Sequence, residues 1–211
     1  GTYAWKGIPY AKPPVGALRW KAPVVPDAWT GTRQTTAFGN ACLQPPPRPT
    51  SPALRAPLDE DCLYLNVWRP RNAKRGLPVM VWIHGGSLVT GASSVATSDG
   101  TGLARRGVVL VSINYRLGYL GYFAHPALTR EAADGGKLAN YGLMDQVAAL
   151  QWVQRNIAAF GGDPSRVTIF GHSSGADAVL QLLASPLARG LFQRAIAQSS
   201  AGGETQPLAM Q

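Results

Sequence analysis

No run of about 18 apolar residues occurs in this sequence, so no membrane-crossing helix is expected. Cysteine and histidine are scarce: Cys42 and Cys62, then His84, His125 and His172, with no cluster among them. Two thiols cannot by themselves make a cysteine-rich zinc site, so neither a metal nor a cofactor is expected. The thiols are either two buried groups or one disulfide. A bridge would close a loop of about 20 residues, add ~3 kcal/mol in the chain-entropy description and imply an oxidising compartment. Charged residues are 15% of the chain against 45% hydrophobic, a balance that excludes intrinsic disorder. Acids are few, 11 against 20 Lys and Arg, for a net charge of +9. The cations are scattered except for Arg69, Arg71, Lys74 and Arg75, which surround Pro70 between two apolar runs. That cluster reads as a solvated turn, and no nucleic-acid partner is expected. No signal peptide is visible and Gly1 stands where a Met would, so processing or truncation is expected to have removed the true start.

What is present alternates between strand and helix signals along 211 residues, a length that buries a real core and by itself suggests one domain or two. Apolar and polar residues alternate over 2–8, as in an antiparallel edge strand. A proline-bound extended stretch follows at 9–16, and a proline-rich surface excursion at 44–58 lies between the cysteines. Residues 63–68 and 79–84 read as strands that would pair as a hairpin across the basic turn. Residues 88–101 form a small-residue loop, and 108–115 are almost continuously apolar, as a strand covered on both faces requires. Residues 116–139 read as irregular. Leu143, Val147, Leu150, Val153 and Ile157 then trace one face of a 3.6-residue period, with Asn140 as N-cap and Gly161, Gly162 and Pro164 as stop. A strand at 167–170, a helix at 176–184 and a strand at 194–199 complete the pattern. The order argues for an α/β protein with a mostly parallel central sheet and antiparallel strands at its start.

Between that strand and helix lies Gly171-His172-Ser173-Ser174-Gly175, which fits G-x-S-x-G, the sharp turn that exposes a serine hydroxyl in α/β-hydrolases. The bare pattern could be a glycine- and serine-rich loop; its strand–turn–helix setting makes it a candidate nucleophile elbow. Acyl transfer by serine needs a nucleophile, a general base, a group that orients the base, and an oxyanion hole. Ser173 is the nucleophile candidate and the Ser174 N–H a natural oxyanion donor. His84-Gly85-Gly86-Ser87 ends a central strand, and such a side-chain-poor loop can turn further N–H groups toward a substrate oxygen; the bland alternative is an ordinary turn. The base is missing. His172 adjoins Ser173 and is not expected to reach its Oγ, His84 belongs to the loop, and His125 reads as a solvated loop histidine. Beyond Ser173 stand one acid, Glu204, and no histidine.

These residues resemble the type-B carboxylesterases, the group that includes cholinesterases. One stretch similar to a family signature is Glu60-Asp61-Cys62-Leu63-Tyr64-Leu65-Asn66-Val67; the other runs from Phe160-Gly161-Gly162-Asp163-Pro164 to Ser173-Ser174-Gly175. Similar segments occur at Lys6–Ala11 with Pro13-Pro14, at Asn114-Tyr115-Arg116-Leu117-Gly118, and at Gly142-Leu143-Met144-Asp145-Gln146. The resemblance covers about residues 5–200. It implies an α/β-hydrolase fold, Ser173 as nucleophile, and Gly86, Ser87 and Ser174 as oxyanion donors. It also implies a Cys42–Cys62 disulfide, ion pairs Arg19–Glu60 and Arg116–Asp145, and Ser199 near the catalytic acid. Three departures stand out. His172 replaces the usual Glu and Ser87 the usual third glycine of the donor loop. Residues 43–61 lack the tryptophan that binds quaternary ammonium, or any other aromatic residue, so choline esters are not expected. Family members are more than twice as long, with the triad acid and histidine in the missing C-terminal half.

The sequence is therefore expected to be the N-terminal part of a single α/β-hydrolase domain, 1–211, with the proline-rich disulfide loop at 42–62. The intact protein is expected to be a secreted or periplasmic serine hydrolase cleaving small-molecule carboxylic esters through an acyl-serine intermediate, without cofactor. The isolated 211 residues are expected to be inactive, and to be poorly soluble through an apolar edge at 195–199. The alternatives are a non-catalytic adhesion or binding member of the same fold, or an amide, carbamate or thioester hydrolase.

Overall fold

The computed structural model describes residues 1–46, 52–131 and 140–202. In chain order its elements are β1 (Thr2–Pro9), β2 (Ala41–Cys42), β3 (Leu58–Asp59), β4 (Tyr64–Pro70), β5 (Leu77–Ile83), α1 (Thr101–Ala104), β6 (Val109–Ile113), α2 (Gly118–Tyr122), α3 (Pro126–Glu131), α4 (Tyr141–Asn156), β7 (Gly162–His172), α5 (Ser174–Ala184) and β8 (Arg194–Gln198). Six strands make one sheet in the order β1-β4-β6-β5-β7-β8. β6, β5, β7 and β8 run parallel, while β4 pairs antiparallel with both β1 and β6. The mostly parallel sheet with antiparallel N-terminal strands is thus as the sequence pattern predicts.

The expected hairpin between β4 and β5 does not form, because β6 lies between them. Residues 71–76 bridge that gap, two strand spacings or about 10 Å, instead of making a tight turn. All five β6 residues are buried, and a run that apolar gains most in a central slot with neighbours on both sides. Register then sets a row of fully buried β-branched side chains across four strands, Val67–Val111–Val81–Ile169. Full burial of each is worth roughly 1.5–3 kcal/mol. This face is packed by α4, through Val147, Leu150, Val153 and Ile157, and by α5, through Ala178, Val179 and Leu182. Alternation sends Trp68 and Leu110 to the opposite face, where they pack with Ala104 of α1 and the partly buried Met80 and Phe170.

Three further expectations are corrected. Residues 116–131 contain α2 and α3 rather than irregular chain only; residues 132–139 lie outside the described ones. Residues 88–101 include a 3-10 turn at Ala96–Ser98 and the start of α1. Asn140 occupies the N-cap position of α4, yet its side chain caps nothing and only its carbonyl accepts, from Met144 N–H. Cys42 and Cys62 are disulfide-bonded. Of the loop they close, 47–51 lie outside the described residues. Both ion pairs are present: Arg19 grips Glu60 with two bonds of 2.6 Å, and buried Arg116 meets Asp145 through its backbone N–H, Nε and Nη2. The basic turn is surface chain in which Arg69 Nη2 donates to Ala73 O.

Candidate active site

The carboxyl ends of β5, β7 and β8 come together, and the outer end of a parallel sheet is where such folds build their sites. β7 ends in the elbow. Ser173 has φ 56° and ψ −130°, a conformation that costs a non-glycine residue of order 1–3 kcal/mol and persists only where the surroundings impose it. Here they do. Ser173 N–H donates to Gln198 O of β8 at 2.9 Å, and Ser173 O accepts from Ala176 and Asp177 N–H, starting α5 directly. The turn also demands close approach: a Cβ on Gly175 would lie 2.3 Å from Ile83 O. α5 therefore begins against the end of β5, with Ser173 at its positive N-terminus.

β5 runs into the loop 84–91. A Cβ on Gly85 would stand 2.5 Å from His172 O and 3.2 Å from Ser173 Cβ, so the loop lies directly against the elbow. Ser87 and Leu88 both have left-handed backbones, φ 57° and 60°. Gly86 O is used up as acceptor from Val89 N–H, Thr90 N–H and Thr90 Oγ1. Leu88 O accepts from Gly118 N–H at 2.7 Å and Leu88 N–H donates to Ser174 Oγ at 3.3 Å. By contrast, no hydrogen bond engages the N–H groups of Gly86, Ser87 or Ser174 among the described residues.

His84 is buried beneath this loop. Its ring stacks on Tyr115 with centroids 4.4 Å apart, and its carbonyl accepts the Tyr115 hydroxyl at 2.6 Å. Burial pushes its pKa down to about 4, against the smaller opposing effect of the hydrogen bond to Gly85 O. The ring is therefore neutral at pH 7, with Nδ1–H donating to Gly85 O. It stiffens the loop and holds no proton for catalysis. His172 is exposed at the cleft beside Ser173. His125 accepts Ala127 N–H through Nδ1, stacks on Phe123 and does not line the cleft. No histidine hydrogen-bonds Ser173 Oγ among the described residues; Glu204 lies outside them.

One residue that the sequence did not flag is Gln44. Its amide holds Gly91 from both sides, Nε2 to Gly91 O at 2.9 Å and Gly91 N–H to Oε1 at 2.8 Å, and also donates to Cys42 O. A glutamine two residues after a cysteine carries no motif. Only the pairing of the disulfide segment with the loop makes it a support. Ser173, Gly86, His172, Gln198 and Ser199 line a cleft of about 760 Å³, walled also by Leu54, Trp82 and Val95. No carboxylate, lysine or arginine lines it among the described residues.

A strained serine between a parallel strand and a helix, sharing one cleft with Gly85 and Gly86, sits on an α/β-hydrolase fold. The chain belongs to the carboxylesterase family, whose model matches residues 1–211. It is 50% identical over 204 residues to a fumonisin B1 esterase of Sphingopyxis macrogoltabida, covering 96% of this chain and 37% of that protein. It is also 50% identical over 203 residues to a para-nitrobenzyl esterase of Bacillus subtilis, covering 95% and 40%. Among solved structures, a thermophilic PNB esterase superposes with a TM-score of 0.86 at 48% identity, covering 95% of this chain and 41% of that one. The chain thus spans about two fifths of the length of these relatives.

Proposed function

We propose that this chain is the nucleophile-bearing part of a longer protein that hydrolyses carboxylic esters through an acyl-Ser173 intermediate. The observation that carries the reading is a strained elbow serine in one cleft with Gly86, together with N–H groups of Gly86, Ser87 and Ser174 that engage no hydrogen bond among the described residues. In this reading Ser173 Oγ attacks the ester carbonyl and forms a tetrahedral oxyanion. The three N–H groups and the α5 N-terminus stabilise that charge, each donor being worth about 3–4 kcal/mol in such sites. The proton of Ser173 goes to a histidine supplied by the part of the protein beyond this sequence, and returns to the departing alkoxide. Water then releases the acyl group by the same route. The absence of carboxylates among the described residues of the cleft, with His172 where the family usually has Glu, supports neutral or anionic esters over cationic ones. The Cys42–Cys62 bridge supports a secreted or periplasmic location.

The test uses the full-length protein with a p-nitrophenyl ester and a fluorophosphonate label. Turnover and labelling are both expected, with Ser173→Ala lowering kcat by about 10⁴-fold or more and abolishing the label. A protein that neither turns over esters nor takes up the label would be a binding member of the fold. One that prefers amides or thioesters by kcat/KM would move the reading within the serine hydrolases. The 211 residues alone are expected to show no turnover.

A further inference from the structure

Ser174 enters the site through its backbone N–H, but its side chain makes a separate connection. The residue is 7% exposed, and its Oγ accepts the Leu88 N–H at 3.3 Å, joining the first residue of α5 to the donor loop. Leu88 is pinned at both of its peptide groups, because its carbonyl accepts from Gly118 N–H. The segment so held is the one with two successive non-glycine residues in the left-handed region, Ser87 and Leu88. Side chains disfavour that region, and glycine does not. Released, Ser87 and Leu88 would relax toward right-handed or extended backbone, and a change in those dihedrals reorients the peptide N–H groups on either side.

We propose that the Ser174 hydroxyl is a positioning group: it clamps Leu88 and so keeps the Ser87 and Gly86 N–H groups aimed at the substrate oxygen. The clamp matters here because the loop carries Ser87 where a glycine would adopt the required backbone unaided. This role rests on the acyl-Ser173 reading above.

Its test compares wild type, Ser174→Ala and the double variant Ser87→Gly/Ser174→Ala in the full-length protein. Steady-state kinetics on p-nitrophenyl acetate are combined with residue-level hydrogen exchange at the Leu88 amide. Ser174→Ala is expected to lower kcat roughly 10- to 100-fold, with KM within about twofold, and to speed Leu88 exchange. The double variant is expected to recover most of kcat while Leu88 still exchanges fast, since glycine keeps the left-handed backbone without the clamp. Unchanged kcat in Ser174→Ala, unchanged Leu88 exchange, or a double variant no better than the single one would each overturn the proposal. Turnover that survives Ser173→Ala would instead overturn the acyl-serine reading, and the positioning role with it. Leu88 exchange is measured without turnover, so the two failures are distinguishable.

Discussion

The two sides of the cleft differ in how completely they are built. On the β5 side the loop 84–91 is tied by Gln44, Gly118 and Ser174, rests on a buried stacked histidine, and leaves the Gly86 and Ser87 N–H groups without a hydrogen bond among the described residues. On the β8 side the last strand of the described sheet is mostly exposed, with Ile196 44% accessible, and it offers Ser173 a backbone carbonyl and no base. Stabilising charge needs rigid, dry, preorganised donors. Moving a proton needs one titratable group at one place, and none hydrogen-bonds Ser173 Oγ among the described residues. On the proposed reading, the two requirements of acyl transfer are separated along the protein, with the oxyanion donors on this chain and the proton carrier elsewhere.

The largest way to break this contrast is to cut the support beneath the tied side. Asp145 holds buried Arg116, two residues before Gly118, which in turn holds Leu88. Asp145→Ala strands a buried cation and is expected to cost about 3–5 kcal/mol, measured by urea unfolding of the full-length protein. A loss under 1 kcal/mol would mean that the pair is not a keystone.

Next in size is a pH effect confined to the same side. The His84 pKa is about 4 when folded against 6.5 ordinarily, so the unfolded chain takes its proton first as pH falls. The contribution is full above pH 6.5, declines from there to about pH 4, and is flat below. The difference amounts to ~3 kcal/mol. Urea unfolding at pH 7 and pH 4 is expected to lose that much more in wild type than in His84→Gln. Equal losses would show that the ring is not held neutral.

The smallest effect belongs to the bare side. Ile196→Lys on β8 is expected to change stability by less than about 0.5 kcal/mol and to slow aggregation, since it blunts an apolar edge. A large destabilisation would mean that this side chain packs against something that the described residues do not include.

The elbow, the order of strand and helix signals, and the periodic face of α4 were legible because each is written in contiguous residues. Ser173 and Gly86 line one cleft. What was not legible is what depends on which distant segments meet. Nothing in 64–70 or 77–83 says that a later strand will part them; β6 takes the slot because its two-sided burial outweighs a short hairpin connection. Gln44 had no signal, for its role exists only once the disulfide segment lies beside Gly91. Asn140 had the right residue type, but its side chain caps nothing and the helix opens without it.

The Cys42–Cys62 bridge also marks out a unit of exchange. The chain between the two cysteines contributes Gln44, Pro52 and Leu54 to the cleft and, among the described residues, no strand to the main sheet. Its ends are fixed beside each other by a covalent bond. Provided that Gln44 keeps its hold on Gly91, Glu60 its hold on Arg19 and β3 its pairing with β2, changes elsewhere between the cysteines are expected to leave the main sheet in place. On the proposed reading, such changes would reshape one wall of the cleft separately from the elbow at Ser173.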